Sequence, residues 1–588
     1  MISADLPFVL LDDARKTDAA PSRLYSGPIA QIEARQIEDI PAMLAILRKA
    51  QADGYHVAGF LNYEAGFALA GATVLEMTQS TGQIGWFGIF NDYQELSSDA
   101  IKSYLPDSAG AYLSSVQPDI SLAEYKSAFE SVQNYIHAGD IYQSNLTFRA
   151  SAGYAGDPLA LYAAVRPNAA AGYGGVVWTG KDWILSFSPE LFFALKDRRI
   201  TTKPMKGTAP RMADPSKDSK IAEELRTDPK QRAENLMIVD LLRNDVSRVC
   251  VPGSVKVPEL FRIESYPTVH QMTSTVTGEL QEGHDAVDVI AALFPCGSIT
   301  GAPKIRAMEI ISELESDARG IYCGSIGRID ANGDAAFNVA IRSFHLNEQE
   351  KRVSLGLGSG VVADSNMVSE WAECLTKGEF AKVGGYGFDL IETMRFEPAQ
   401  GIERLELHLE RMKESARVLG FEFDRHAARN ALHAVTFHLE KVRKIRMLLS
   451  RKGAIAIEVA DVPPVIAGAW QVRVTPLPVS NKDFRLHHKT SDRAFYDDAR
   501  CAHPNCAEVI FTDPGGYLTE GSFTSLFVVH DDMLLTPPLS RGLLPCVLRR
   551  ELIDQGKAKE ADLRPEDLSG GFFIGNSLRG LMAAALTK

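Results

Sequence analysis

Residues 356–377 read GLGSGVVADSNMVSEWAECLTK. Glycines at 356, 358 and 360 leave the backbone bare enough for its N–H groups to approach a carboxylate. A helical pattern, SEWAECLTKGEF, follows and closes a region near residue 378. On that helix Glu370 and Glu373 stand at i and i+3, so both carboxylates can point at one ion. Glu234 comes from a second helical pattern, RAENLMIVDLLRND at 232–245. Carboxylates that share an ion with water and substrate oxygens suit Mg2+. Alone, an ExxE pair is most often a solvated helix face. The polar segments around this one give it another meaning.

Working outward, residues 1–115 alternate short apolar runs with helical pattern: HVAGFLNYEAG reads as strand and turn, IPAMLAILRKA as a helix. SLAEYKSAFESVQNYIH, 121–137, is a helix with a Ser cap, stopped by Gly139. NLTFRAS, GGVVWTG and DWILSFSP read as strands, and the polar residues 212–229 as a surface excursion. A long helix, APKIRAMEIISELE, precedes strands at 321–330, 336–346 and 352–358. After AKVGG the pattern restarts with a strand (GYGFDLIETMRF), a helix (RLELHLERMKESARVLGF), a helix at 425–440, strands, and a second α/β half from about 485. The chain is therefore expected to hold an α/β body over 1–378, with an N-terminal part at 1–115 and a catalytic core at 120–378. A linker at 379–384 and a smaller α/β body at 385–588 follow, separable near 379–385.

Composition narrows the classes. Hydrophobic residues make up 45% of the 588 and charged residues 23%, which is globular protein and excludes a wholly disordered or collagen-like chain. Lys and Arg number 62 against 75 Asp and Glu, a net −13, which argues against nonspecific nucleic-acid binding. The seven cysteines form no CxxC, as expected of a reducing cytosol. MISADLPFVLLDDARK has no basic n-region of a secretory signal, and no apolar run approaches the roughly 20 residues of a membrane span. The expected location is cytoplasmic.

Six ordered segments carry polar groups where a core would want apolar ones: GDIYQSNLT (139–147), SFSPELFF (186–193), KPMKGTAPR (203–211), RAENLMIVDLLRND, CGSITGAPKIRAME (296–309) and the stretch at 356–377. Together they closely resemble the chorismate-utilising enzymes, among them the anthranilate, isochorismate and aminodeoxychorismate synthases. The resemblance implies a large α/β sandwich of antiparallel sheets flanked by helices. It implies Mg2+ on Glu234 and Glu373, with Glu370 acting through water. It also implies substrate contacts from Tyr322, Arg342, Lys377, Gly358, Gly360, Ser298 and Thr300. The lysine of PMKGT, Lys206, stands where the aminodeoxychorismate enzymes carry one and where anthranilate and isochorismate synthases usually have a small residue. A lysine amine with its pKa lowered in a pocket can attack C2 of chorismate and expel the C4 hydroxyl, after which ammonia adds at C4. Many relatives keep a histidine where Gln271 stands, as general acid; here the histidine is the neighbouring His270. Gln143 replaces the catalytic lysine of the water-adding relatives. SRLYSGP (22–28) resembles the segment that holds tryptophan in some of these enzymes.

The second body carries HLERM (408–412), HKTSDRAFYD (488–497), TEGSFTSLF (519–527), RGLLPCVLR (541–549) and GNSLRG (575–580). These resemble the branched-chain aminotransferase-like, fold-type IV enzymes of pyridoxal 5'-phosphate (PLP), and aminodeoxychorismate lyase in particular. The resemblance makes Lys489 the lysine that carries the cofactor, Glu520 the partner of its pyridine nitrogen, and Arg411 with Asn576 and Ser577 its phosphate site. Thr393 falls near the substrate. The family often has Asn where Ser525 stands and Gly where Cys546 stands.

The function these resemblances imply is bifunctional: amination of chorismate to 4-amino-4-deoxychorismate, then PLP-dependent loss of pyruvate to give 4-aminobenzoate. The alternatives are an anthranilate synthase-like enzyme fused to a PLP aminotransferase, or to a non-catalytic PLP-fold module. No GxCxG glutaminase motif is present, so ammonia is expected from a separate glutamine amidotransferase subunit or from solution. Homodimerisation of the PLP body is a further implication; nucleic-acid and membrane partners are not.

Overall fold

The computed structural model describes residues 1–588 with the exception of 1, 3, 72–81, 213, 267, 268, 383–386, 465, 467 and 588. Part of the expected linker and the expected start of the second body, Gly385, lie outside the described residues. No helix is long and apolar enough to cross a membrane among the described residues.

The chain forms two compact units, and the first comprises Met1–Leu105, Val116–Ala152 and Val165–Val383. Its strands form two large antiparallel sheets. One runs in the order Gly301–Ala302, Gln143–Ala155, Arg352–Val361, Ser343–Asn347, Trp183–Ser186, Gly174–Trp178, Phe8–Asp12, Ser22–Ser26, Gln94–Leu96. The other runs Met205–Pro210, Val269–Glu279, Arg199–Lys203, Leu191–Lys196, Ala335–Asn338, Ser325–Ile329, His56–Leu61, Gly85–Phe90, Ala30–Ala34. The sheets face each other through a core that joins Val9, Tyr25, Val177 and Ile184 of the first to Phe60, Trp86, Phe90 and Ile326 of the second. Helices Ile40–Ala52, Pro229–Ser247, Ala286–Leu293 and Lys304–Leu314 cover the second sheet through Leu47, Leu242, Ile290 and Met308. Burying both faces of a sheet in this way is what makes its strands read as near-continuous apolar runs.

The capped helix appears as Leu122–Ala138, with a Ser121–Glu124 capping box and Gly139 left-handed at its end. The polar stretch at 212–229 is largely exposed, and it holds a helix, Pro215–Thr227, with Asp214 accepting from the Ser216 and Lys217 N–H groups and Pro215 in the first turn.

The second unit comprises Gly384–Lys588 and also Pro106–Ser115 and Gly153–Ala164. Tyr112 from the first of these segments is fully buried and packs on Phe388 and Phe484. Its hydroxyl donates to the Leu419 carbonyl at 2.5 Å and accepts from Arg451 Nη1 at 2.6 Å. Gly153 lies so close to Val418 that a Cβ there would sit 2.4 Å from the Val418 carbonyl oxygen. The rest of the unit is a four-stranded antiparallel sheet (Leu390–Glu397, Arg443–Leu449 and Ile455–Ala460 with Gly401–Ile402 at one edge) and a mixed eight-stranded sheet from Trp470–Pro476 to Gly580–Leu586.

Candidate active sites

In the first unit Lys206 sits on the edge strand Met205–Pro210, where the register against Val269–Glu279 shifts between Met205 and Thr208. Such a bulge re-aims a side chain. The Lys206 amine points at Gly360: a Cβ there would lie 2.8 Å from Lys206 Nζ and 3.0 Å from Gln143 Nε2. Only glycine leaves that space open. Burial and the neighbouring Lys377 draw the Lys206 pKa below its ordinary value, against the pull of Glu234, Glu373 and Glu190. The Gln143 side chain is buried, and neither its Oε1 nor its Nε2 has a hydrogen-bond partner. A buried amide left so is expensive unless a ligand completes it.

Glu190 is the group that sequence reading passed over. It lies in SFSPELFF, fully buried, and accepts from Ser298 Oγ at 2.8 Å. Burial pushes its pKa up to about 7, eased by Ser298, Lys206 and Lys377. A lone Glu just ahead of the apolar strand Leu191–Lys196 was the available signal, but its partners come from distant segments.

Glu234, Glu370 and Glu373 are brought toward one another. Burial and the other two carboxylates raise the Glu234 pKa, countered by Lys206 and Lys230. Glu373 pairs with Lys377 Nζ at 2.8 Å and Glu370 accepts from Ser365 Oγ at 2.7 Å. Among the described residues no three His, Cys, Asp or Glu stand close enough to hold a metal ion as they are arranged. The donor set nevertheless suits a hard dication, because three carboxylates repel one another until a cation joins them. Lys377 Nζ also donates to the Gly358 carbonyl at 2.9 Å. Thr300 is buried and donates to the Cys296 carbonyl. Tyr322 is buried, and Arg342 is half-buried near Tyr266 in a left-handed backbone conformation.

His270 is placed elsewhere. Its Nδ1 meets Ser265 Oγ at 2.8 Å and its Nε2 meets Asp218 Oδ1 at 3.0 Å, while Asp218 takes Arg211 Nε. Gln271 donates to Thr208 Oγ1. Both His270 ring nitrogens are therefore already engaged.

A buried ion pair, Arg319–Glu315, ties together the segments that carry Gln143, Ser298 and Tyr322. Arg319 donates to Glu315, to the Ile299 carbonyl at 3.0 Å and to the Asn145 carbonyl at 2.6 Å. Glu315 Oε1 accepts from Thr147 N and Oγ1. The pair so fixes the strand of Gln143, the loop of Ser298 and Thr300, and the turn leading to Tyr322.

In the second unit a cavity of about 330 Å³ is lined by Lys489, Arg411, Glu520, Thr393, Asn576 and Ser577, among others. The resemblance assigned Lys489, Arg411, Glu520, Asn576 and Ser577 to one cofactor and Thr393 to the substrate beside it. Burial and Arg411 lower the Lys489 pKa to about 8. Burial raises the Glu520 pKa to about 7, although Tyr496 donates to it at 2.5 Å. Arg411 grips Glu392 with Nε and Nη2 at 2.8 and 2.6 Å and reaches the Pro545 carbonyl with Nη1. Three of its five N–H groups are so used, and two remain. His408 bridges Glu392 and Ser577 Oγ at 2.6 and 2.7 Å. Asn576 Oδ1 accepts from the Leu578 and Arg579 N–H groups, which gives its side chain a turn-forming task. Ser525 Oγ is buried without a partner. A lowered lysine, a raised carboxylic acid, a free pair of guanidinium donors and an orphaned hydroxyl fit PLP. Glu392 and His408, which hold Arg411 and Ser577 in place, were not legible as site residues.

Residues 6–382 match the family pattern described as chorismate binding enzyme, and residues 389–586 that of amino-transferase class IV. The chain is 45% identical over 261 residues to "Aminodeoxychorismate synthase component 1" of Escherichia coli (strain K12), covering 44% of this chain and 57% of that one. To the Bacillus subtilis (strain 168) protein of the same name it is 39% identical over 283 residues, 48% and 59% of the two chains. It also matches "Anthranilate synthase component 1" of Aquifex aeolicus at 36% over 302 residues, 49% and 60% of the two chains. The chain thus spans under two thirds of the length of these curated relatives. Among solved structures, anthranilate synthase component I from Streptococcus pneumoniae TIGR4 superposes with a TM-score of 0.53 at 25% identity, over 63% of this chain and 93% of that one.

Proposed function

Since the chain belongs to the chorismate binding enzymes, we propose that its first unit aminates chorismate to 4-amino-4-deoxychorismate and its second cleaves that product to 4-aminobenzoate and pyruvate. The observation that carries the reading is the Lys206 amine, drawn down in pKa and aimed past Gly360, beside the buried acid Glu190. Lys206 attacks C2, the two ring double bonds each shift one place, and the C4–O bond breaks. Glu190 donates the proton that lets the oxygen leave as water. Ammonia then bonds to C4, the double bonds shift back, and Lys206 leaves C2. An anthranilate-type product would need no nucleophile at 206. Gln143, Ser298, Tyr322, Arg342, Lys377 and the glycines at 358 and 360 hold the substrate. Glu234 and Glu373, with Glu370 through water, would hold Mg2+, which would supply positive charge to a substrate carboxylate. Ammonia comes from a separate glutamine amidotransferase subunit.

Bound PLP supplies a sink for the electron pair left at C4. Lys489 removes the C4 proton, the enolpyruvyl oxygen leaves C3, and the ring becomes aromatic. Glu520 keeps a proton at the pyridine nitrogen, and the free N–H groups of Arg411 hold the phosphate. The test is product analysis of the full chain with chorismate, Mg2+, PLP and ammonium. Equal amounts of 4-aminobenzoate and pyruvate are expected, and anthranilate would overturn the reading.

Two variants probe the first unit. Glu190→Gln is expected to lower the synthase rate by about 10²- to 10⁴-fold, the usual contribution of a general acid. Because its pKa is raised to about 7, the wild-type acid holds its proton below that pH and loses it above. The wild-type rate should fall as pH rises through about 7. That limb should vanish in Glu190→Gln and persist in His270→Asn; the reverse pattern would return the acid's role to His270. Glu234→Ala and Glu373→Ala should each raise the half-saturating Mg2+ concentration about tenfold or more, or abolish the synthase step. Unchanged magnesium titrations in both would remove these carboxylates from the ligand set.

A further inference from the structure

The cavity around Lys489 holds an excess of positive charge that the cofactor does not consume. Arg411, Lys444, Lys489, Arg493, Arg500 and Arg579 line it, against the single carboxylate of Glu520. Arg411 is balanced by Glu392 and Arg500 by Asp497. Lys489 is the amine the chemistry uses. Lys444, Arg493 and Arg579 remain, and none of them is paired with a carboxylate among the described residues.

They arrive from three separate elements. Lys444 stands on the strand Arg443–Leu449, Arg493 precedes the helix Ala494–Cys501, and Arg579 sits in the turn between Phe572–Asn576 and Gly580–Leu586. Arg493 is held over the Tyr496 ring at 4.3 Å and donates one Nη2 bond to the Ser522 carbonyl at 3.1 Å. Its Nη1 is buried with no partner. Arg579 lies over the Trp470 ring at 5.2 Å, and its one side-chain hydrogen bond among the described residues goes from Nη1 to the Pro464 carbonyl at 3.4 Å. Stacking fixes both guanidinium planes and leaves their donors toward the cavity unspent. Three like charges gathered in a pocket whose single lining carboxylate is Glu520 cost stability unless an anion completes the set.

We propose that Lys444, Arg493 and Arg579 bind the two carboxylates of the substrate and make the second unit selective for dianions over amino acids with one carboxylate. The proposal rests on the lyase reading for the identity of that substrate: the cofactor phosphate takes Arg411, and the ring and enolpyruvyl carboxylates take the other three. It also explains how a site built like an aminotransferase would disfavour ordinary transamination substrates, since a monocarboxylate leaves part of the cationic set unmatched.

The probe is 3-(carboxymethoxy)benzoate, a dianion with no amine, compared with benzoate. Titration calorimetry of the full wild-type chain should register a dianion at this cavity in addition to any held by the first unit, and benzoate at least tenfold more weakly. In Lys444→Gln, Arg493→Gln and Arg579→Gln the affinity of that equivalent should drop at least tenfold, with the visible band of bound PLP retained. KM for aminodeoxychorismate should rise by a similar factor while kcat stays within about threefold. Arg579→Lys, which keeps the charge, should recover most of the affinity, and rising salt should erode the wild-type preference. Dianion binding in the three Gln variants equal to wild type would overturn the proposal. Pyruvate release by wild type decides the lyase reading separately, because the calorimetric comparison does not depend on turnover.

Discussion

Lys206→Ala is expected to lose the conversion of chorismate and ammonia to aminodeoxychorismate by at least about a thousandfold, which corresponds to about 4 kcal/mol of barrier. In the proposed reaction the lysine supplies the bond to C2 that makes the C4 hydroxyl leave; of the side chains around it, Gln143 is an amide, Glu190 is needed as the acid, and Lys377 is engaged by Glu373 and the Gly358 carbonyl. The same variant should still release pyruvate from supplied aminodeoxychorismate at the wild-type rate, because Lys206 belongs to the first unit and Lys489 to the second. Lys206→Arg should fare no better than Ala, since a guanidinium keeps its charge and does not attack. Undiminished amination in Lys206→Ala would mean direct addition of ammonia, and with it the anthranilate-like alternative.

Lys489→Ala is expected to have the complementary phenotype. The cavity loses the amine whose pKa is lowered to about 8, and with it both the covalent hold on PLP and the base for the C4 proton. PLP should wash out on gel filtration, the visible band should disappear, and pyruvate release should fall by at least about a thousandfold. Aminodeoxychorismate should then accumulate from chorismate and ammonia, with synthase turnover unchanged. A Lys489→Ala protein that keeps its band through gel filtration and still yields 4-aminobenzoate would move the role of base to another residue.

Much of this was legible in the residues, for a physical reason. A strand that carries Lys206 in PMKGT, or a helix that presents Glu370 and Glu373 on one face, keeps the groups that mark it within a few residues of one another. Residues whose role depends on distant partners were not legible. Glu190 gains its raised pKa from burial among distant segments, and the hydroxyl that eases it, Ser298, lies 108 residues away. His270 and Gln271 are adjacent in sequence, yet which of them meets the substrate depends on the opposite faces of one strand and on Asp218 from another element. The helix Pro215–Thr227 escaped because it buries only Asp218 and Leu225, so no apolar stripe marks its period. Its Asp214 cap and first-turn proline were the available signals. The unmatched cations of the second unit come from positions 444, 493 and 579, and only folding assembles them.

Tyr112 and its hydrogen bond to Leu419 span 307 positions of chain. During synthesis from the N-terminus, residues 106–115 and 153–164 emerge long before the strands and helices whose core they complete. The second unit therefore has a high contact order and cannot finish folding until the C-terminal third has left the ribosome. Until then the ring of Tyr112 waits without Phe388 and Phe484, and a polypeptide cut short before residue 388 would display it. A recombination event that joined or excised the C-terminal activity at the 379–384 junction would likewise leave this wedge behind. In this architecture the amounts of the two units are locked at one to one by the folding of a single chain.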